Sequence, residues 1–217
     1  QPAALCRGGG ALYDVGYQDG TLEQMLLGAA PLSATTIFRL SDGELLSRST
    51  VVAEGTVLRT AARRNLRGSP ETETTIRVTR LLRGSHAGDL VLRDLGGELP
   101  DGRWLRIWGR PEYVVASRVL VFAVPHPEGE FQTAELTLGK FEVWKDRAGR
   151  RYLARDLLTR PAQGVRYLRA VGSEKAAADT LRDHAAFLRF LAGGGSGGPT
   201  DAPPAVRLQD LEPDRDP

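Results

Sequence analysis

The sequence predicts a mainly β protein, a small antiparallel β-barrel with a short helix before it and one helix after it. Residues 72–84, TETTIRVTRLLRG, are the first basis for this prediction. β-Branched or apolar residues alternate there with polar ones, as in a strand that buries one face. The second basis is a set of segments with strand-like composition that can pair with it, namely residues 50–60, 89–95, 118–124 and 140–145.

Length and charge limit the class of protein. A chain of 217 residues has room for one domain of about 100–150 residues with extensions. Because 29 basic residues stand against 27 acidic ones, the net charge of +2 does not indicate a nucleic-acid-binding protein. We therefore predict a barrel at residues 35–171, a packing helix at 172–192 and a disordered tail, rich in Gly, Pro and Asp, at 193–217.

Residues 1–34 are predicted to be a flexible extension that adds little to the core. Within them, residues 25–34, MLLGAAPLSA, are apolar and end in small residues, so they resemble the remnant of a signal peptide. An ordinary flexible N-terminus is the alternative. Cys6 is the only cysteine, which excludes a disulfide within the chain. No stretch approaches the roughly 18 apolar residues that a membrane-spanning helix needs.

The first half of the barrel begins with a helix and a bent strand. Ser41 and Glu44 have the spacing of a capping box, which predicts a short helix within residues 40–49. Gly55 interrupts the apolar strand that follows, and a glycine inside a strand usually marks a bulge. The polar residues 61–73 are predicted to form a loop between this strand and the next.

The second half of the barrel contains shorter strands. Residues 117–124, SRVLVFAV, are almost wholly apolar, which predicts a strand buried on both faces. A weaker strand, a hairpin of two strands and a last short strand are predicted at residues 131–138, 139–145 with 150–156, and 165–168.

A long helix is predicted over residues 173–192. Ser173 is placed to cap its first turn. Apolar residues at helical spacing form one stripe, which would pack on the barrel. They are Ala177, Leu181, Ala185 and Leu188.

The segment 103–109, RWLRIWG, is the best candidate for a binding surface. Its indole rings recur at strand spacing among basic residues, and such rings beside guanidinium groups can form a stacking platform. Alternatively, one or both rings cap the barrel core. The predicted binding residues are Arg103, Trp104, Arg106, Trp108 and Arg110.

A second candidate is the basic cluster in the predicted loop. Arg63, Arg64 and Arg67 could hold an anion or a polynucleotide, although a solvated loop is the alternative. The chain uses arginine far more than lysine. This preference fits recognition of carboxylates or phosphates, but it also fits the codon usage of a GC-rich genome.

The sequence contains no recognisable catalytic or metal-binding motif. His86, His126 and His184 lack partners at metal-ligand spacing, and His126 and His184 are expected to be exposed and half-exposed. HExxH, CxxC and phosphate-loop patterns are missing from the sequence. We therefore predict no cofactor, no metal ion and no enzymatic activity.

The order of several motifs resembles a set of uncharacterised secreted proteins of GC-rich bacteria. These motifs are LSxxELxxRS at 40–49, VVxEGTV at 51–57, TxxTIRVxRLLRG at 72–84, RVLVF at 118–122 and LGKFEV at 138–143. The resemblance implies export and an OB-like barrel similar to the netrin-like domain of tissue inhibitors of metalloproteinases. Some members of the set carry a matrixin-type metalloprotease after this domain, but the zinc-protease motif is missing here. Cys6 does not stand at the start of the β-domain, so the inhibitors' cysteine role is not transferred.

These observations lead to one main expectation and two alternatives. We expect a secreted or periplasmic, monomeric and non-catalytic barrel that binds an unknown protein partner. One alternative is an OB-fold that binds single-stranded nucleic acid, for which the near-neutral charge makes a nucleic-acid partner less expected. The other is an enzyme whose site has no recognisable motif.

Overall fold

The computed structural model confirms a mainly β fold. Cys6, residues 25–34 and residues 173–179 of the predicted helix lie outside the described part of the chain, so their predictions stay open. The described residues are 14–16, 35–156, 165–169, 180–196 and 200–216.

The described elements are mostly short strands. Two helices are described, α1 (Asp42–Arg48) and α2 (His184–Ala192). In chain order the strands are β1 (Asp14–Gly16), β2 (Thr35–Arg39), β3 (Val51–Arg64), β4 (Pro70–Arg83), β5 (Leu90–Leu95), β6 (Gly97–Glu98), β7 (Trp104–Arg106), β8 (Arg118–Pro125), β9 (Phe131–Thr133), β10 (Lys140–Lys145), β11 (Arg151–Arg155), β12 (Val165–Arg169), β13 (Arg182–Asp183) and β14 (Glu212–Pro213).

Five of these strands close into a barrel-like sheet. β3 pairs antiparallel with β4 and with β8, and β4 pairs antiparallel with β5. β9 completes the ring, because it pairs parallel with β5 through Leu92 and Phe131 and antiparallel with β8. A small five-stranded, partly open barrel of this kind is OB-like, as predicted. The hairpin of β10 and β11 extends the sheet beyond β8.

β3 and β8 bury both faces, as their apolar sequences predict, and so separate two hydrophobic clusters. The inner cluster takes residues from β3, β4, β5 and β8, among them Ile76 and Leu92. The outer cluster lies beneath both helices and includes Phe122, Phe141 and Phe187. Full burial of such side chains contributes about 1.5–3 kcal/mol each, so the outer cluster, which contains residues of both helices, holds them on the sheet.

Gly55 lies at a register shift between β3 and β4, which confirms the predicted bulge. A Cβ atom at this position would collide with the carbonyl oxygen of Arg77 and with the side chain of Ile76. The close approach of the two backbones therefore requires glycine here. The bend lets β3 pair with both β4 and β8.

The helix α1 begins at the predicted capping box. Ser41 Oγ accepts the N–H of Glu44 at 3.2 Å, and the Glu44 carboxylate accepts the N–H of Ser41 at 2.8 Å. Leu45 and Leu46 are buried in the outer cluster. Local sequence alone is sufficient to place this helix start.

The prediction of a loop at residues 61–73 is wrong. β3 continues to Arg64 and β4 begins at Pro70, so the two strands form a long two-stranded ribbon. Ion pairs across the ribbon, such as Arg63 Nη1 with Glu73 Oε2 at 2.7 Å, explain its polar composition. Opposite charges across the ribbon stabilise the pairing of its strands, so this stretch needs no apolar alternation.

The C-terminal helix is shorter than predicted. α2 begins at His184, and its N-cap is Asp183 rather than a residue near 173. Phe187 and Leu191 are the residues it buries, whereas Ala185 of the predicted stripe is exposed. The helix buries Phe187 rather than Ala185, because a phenyl ring removes far more apolar area from water than an alanine methyl group does.

The prediction of disorder is wrong for residues 200–216, which pack on the barrel sheet. β14 pairs with β10, and Leu211 packs with Tyr152 and Leu181. Asp214 is only 7% exposed. Composition does not reveal this order, because backbone pairing and ion pairs with distant residues also hold the segment.

Two small sheets lie apart from the barrel sheet. β12, which matches the predicted last strand, pairs parallel with β2. β1, β7 and β6 form a three-stranded antiparallel sheet in that spatial order. This second small sheet positions the tryptophan and arginine residues that the sequence analysis singled out.

Candidate interaction surface

In and just after β7, buried side chains alternate along the chain with the predicted binding residues, as in a strand. Leu105 and Ile107 are each only 6% exposed. Trp104 and Trp108 are half-buried, and Arg106 is exposed. Neither indole belongs to a hydrophobic cluster of the described residues, so the structure does not place these rings in the barrel core.

Arg106 lies between the two indole rings. Its Cζ atom is 5.7 Å from the ring centroid of Trp104 and 5.2 Å from that of Trp108. Each such contact contributes about 0.5–1 kcal/mol at an exposed site and limits the motion of the guanidinium group. Its cross-strand neighbour in β1 is Asp14. Among the described side chains, no carboxylate forms an ion pair with Arg106.

The two predicted basic segments meet at Asp101. Arg103 Nε lies 3.1 Å from Asp101 Oδ2, and Arg64 Nη2 contacts the same oxygen. One carboxylate therefore serves two guanidinium groups, and an excess of positive charge remains. Asp101 was missed in the sequence because the contact joins residues 37 positions apart. We call this set the Trp–Arg surface, formed by Arg64, Asp101, Arg103, Trp104, Arg106 and Trp108.

The other predicted binding residues lie outside this surface. Arg110 is half-buried, and its Nη1 donates to Thr72 Oγ1 at 2.9 Å. The carboxylate of Glu73 pairs with Arg63. Arg67 is exposed in the turn between β3 and β4. The structure therefore does not gather Arg63 and Arg67 with Arg64 into one open cationic site.

A buried carboxyl group, that of Asp94, lies inside the barrel wall, and no local sequence pattern indicates it. Asp94 accepts hydrogen bonds from the N–H of Thr133 at 2.9 Å and from its Oγ1 at 2.8 Å. The hydroxyl of Tyr113 lies 2.8 Å from the same Oγ1. Burial raises the pKa of Asp94 to about 6, although the two hydrogen bonds act in the opposite direction.

Lys140 is a second buried charge that the sequence analysis missed. Its Nζ atom lies 2.9 Å from Glu142 Oε1 and 2.7 Å from Asp156 Oδ1, and it contacts the carbonyl oxygen of Glu112. Burial raises the pKa of Asp156, although Lys140 acts to lower it. Because these groups satisfy one another, they have the character of a structural network.

His126 and His184 are both less exposed than predicted. The His126 side chain is 10% exposed, and its Nε2 lies 3.9 Å from Glu71 Oε2. Burial raises the pKa of Glu71, and the nearby His126 opposes this. The His184 side chain is 13% exposed, and its Nε2 lies 3.2 Å from Glu54 Oε2. Each histidine side chain therefore lies close to a buried carboxylate and does not line an open cleft.

The described part of the chain contains no group of three His, Cys, Asp or Glu residues that could hold a metal ion. It also contains no helix that is both long and apolar enough to span a membrane. Chemically, the Trp–Arg surface offers guanidinium donors and flat apolar rings, which suit binding rather than bond cleavage.

Comparison with known proteins found no matching family model, no matching curated protein and no matching solved structure. The resemblance to netrin-like proteins of secreted bacterial origin therefore stays a prediction from the motifs.

Proposed function

We propose that this protein is a non-catalytic binding module whose Trp–Arg surface contacts an acidic patch on a protein partner. One observation supports the proposal more than any other. Arg106 is exposed, lies between Trp104 and Trp108, and has no carboxylate partner among the described side chains.

The chemistry of these residues fits protein recognition. Tryptophan and arginine are the residue types most enriched where binding energy concentrates in interfaces. A guanidinium group that two rings hold in place loses less entropy when it binds a carboxylate, and its planar fork matches the two oxygens. The shared carboxylate of Asp101 leaves Arg64 and Arg103 with surplus positive charge, and Arg103 directly precedes Trp104 in the chain.

An extracytoplasmic location is part of the proposal. The apolar segment 25–34 with its small residues supports it, as does the motif resemblance to exported proteins. Single-stranded nucleic acid is a weaker candidate partner, because the ribbon arginine Arg63 is already paired with a carboxylate and the chain has a net charge of only +2.

The proposal is tested by affinity capture of proteins from source cells with four forms of the full chain. These are the wild type, Arg106→Ala, Arg106→Lys and a control, Arg83→Ala, which removes an exposed arginine from the far end of β4. We expect a partner that the wild type and the control retain and that Arg106→Ala loses. Arg106→Lys keeps the charge but not the planar fork, so we expect it to retain little.

A titration with the purified partner then measures the effect. Arg106→Ala should weaken binding at least tenfold, and the wild-type affinity should fall with added salt. Equal retention by all four forms, or no partner in near-stoichiometric amount, would contradict the proposal. Tight binding of a single-stranded oligonucleotide that Arg106→Ala abolishes would instead support the nucleic-acid alternative.

A further inference from the structure

Residues 212–216 fill a gap between two strands of the barrel sheet. β8 and β10 pair directly only through residues 119–121 and 140–142. Beyond that point the C-terminal segment lies between them. The N–H of Asp214 donates to Val143 O at 2.8 Å, and its carbonyl oxygen accepts the N–H of Arg118 at 2.9 Å. The segment thus adds a strand to the exposed edges of both neighbours.

Side chains of the same segment make the specific contacts. Asp214 Oδ2 lies 2.8 Å from Arg151 Nε and 3.6 Å from Arg118 Nε, and its Oδ1 lies 3.5 Å from Lys145 Nζ. Asp216 Oδ1 lies 3.2 Å from Arg118 Nη2. Three cations from β8, β10 and β11 therefore converge on two aspartates with one residue between them.

The segment does not fill the space it occupies. A pocket of about 180 Å³, partly open to solvent, lies beside the segment, which contributes Pro213 and Arg215 to its lining. The other lining residues come from both sides and include Val114, Trp144 and Leu208. A cavity of this size could take an apolar side chain larger than proline.

We propose that this gap is a docking groove for an extended acidic segment of a partner protein, and that the chain's own residues 212–216 occupy it in the free protein. Main-chain hydrogen bonds to the strand edges supply affinity for any extended peptide. Arg118, Arg151 and Lys145 select two carboxylates at alternate positions. The unfilled cavity selects a bulky apolar residue beside them. This groove is distinct from the Trp–Arg surface and does not depend on it.

The first test measures binding of a labelled peptide that copies residues 207–217 to the full chain. A double variant, Asp214→Asn with Asp216→Asn, weakens the internal segment without shortening the chain. We expect the peptide to bind this variant at least tenfold more tightly than it binds the wild type. The matched control is Asp210→Asn, which changes an exposed aspartate just before the segment and should bind the peptide as the wild type does.

The peptide itself is then varied. Replacing the peptide's counterparts of Asp214 and Asp216 by asparagine should weaken binding at least tenfold, because the three cations lose their carboxylates. Replacing its counterpart of Pro213 by leucine should strengthen binding if the side chain enters the cavity. Equal binding of the labelled peptide to the double variant and the wild type would overturn the proposal, as would no dependence on the aspartates.

A second measurement uses only the wild type, in case the double variant does not fold. Hydrogen exchange reports whether the amides of Asp214 and Asp216 open before the barrel unfolds. We expect early exchange at both positions, independent of exchange in β8. Exchange only with global unfolding would show that the segment cannot detach and would overturn the proposal. A dimer in light scattering that exchanges labelled C-terminal segments would also overturn it, because a second copy would then be the occupant.

Discussion

Nε2 of His184, the first residue of α2, lies 3.2 Å from Oε2 of Glu54, a carboxylate buried in β3. The contact joins the C-terminal helix to the first barrel strand across 130 residues of sequence. Burial acts to raise the pKa of Glu54, but the nearby imidazole of His184, with the charge of Arg118, outweighs it and lowers the pKa. The pair therefore stabilises the folded state when Glu54 is charged.

This pair predicts a measurable coupling energy. His184→Ala and Glu54→Gln should each destabilise the protein, because each leaves a buried polar group without its partner. In a double-mutant cycle from urea unfolding, the coupling should be about 1–3 kcal/mol at pH 7. A folded-state pKa that is lowered gives stability that is present above the unfolded value and is lost as the pH falls. The coupling should therefore shrink toward pH 3, and a coupling near zero at pH 7 would contradict the pair's role.

Asp94 should make stability fall with rising pH, the opposite of the dependence expected from the lowered pKa of Glu54. Its pKa rises from 3.8 to about 6 on folding, so the folded protein binds this proton more tightly than the unfolded chain. The contribution of Asp94 to stability is therefore complete below about pH 4 and is lost as the pH rises through 6. The total change is about 3 kcal/mol by proton linkage.

The variant Asp94→Asn isolates this contribution. The difference in unfolding free energy between the variant and the wild type should increase in favour of the variant from pH 4 to pH 6.5 and then level off. Urea unfolding at half-unit pH steps measures it. A difference that does not vary with pH would show that Asp94 titrates normally in the folded protein.

We expect removal of the Lys140 charge to lower the free energy of unfolding by a large amount. Lys140→Met leaves the buried carboxylates of Glu142 and Asp156 without their shared cation, which should cost about 3–5 kcal/mol at pH 7. Part of the loss should be recovered as the pH falls, because burial raises the pKa of Asp156 and favours its uptake of a proton. The matched control is Lys145→Met, because the Lys145 side chain is 41% exposed and loss of its charge should cost less than about 1 kcal/mol. Similar thermal melting of the two variants would contradict this prediction.

Two glycine substitutions should change stability in opposite directions. Gly55→Ala places a Cβ atom against the carbonyl oxygen of Arg77, so we expect a loss of about 1–3 kcal/mol. Gly43→Ala lies in α1, where the nearest atom to a new Cβ is Phe190 Cζ at 4.0 Å. Alanine should stabilise this helix by about 0.5–1 kcal/mol. Denaturant unfolding of both variants tests these two expectations. A loss of stability for Gly43→Ala would contradict the open space around Gly43.

The sequence was a good guide to the barrel and a poor one to its charged contacts. The alternation of residues 72–84, the bulge at Gly55 and the capping box at Ser41 are local signals, and the structure confirms each of them. The residues of β7 also alternate as predicted. Their indoles could not be assigned to the core or the surface, because alternation gives two faces without saying which is buried.

The residues that the sequence analysis missed acquire their roles through contacts between segments far apart in the chain. Asp101 gains its role only when the β3–β4 ribbon brings Arg64 to it. Asp214 looks like part of a disordered tail until β8 and β10 open a gap for it, and no local pattern encodes that gap.

By itself, then, the sequence determined that the chain is mainly β, where its central strands bend, and where its first helix begins. These features follow from side-chain periodicity and backbone conformation, which act over a few residues. The tertiary structure alone decided which charges are paired, which carboxyls are buried, and which residues form the Trp–Arg surface and the C-terminal groove. Those outcomes depend on distances between residues far apart in the chain, and folding sets these distances.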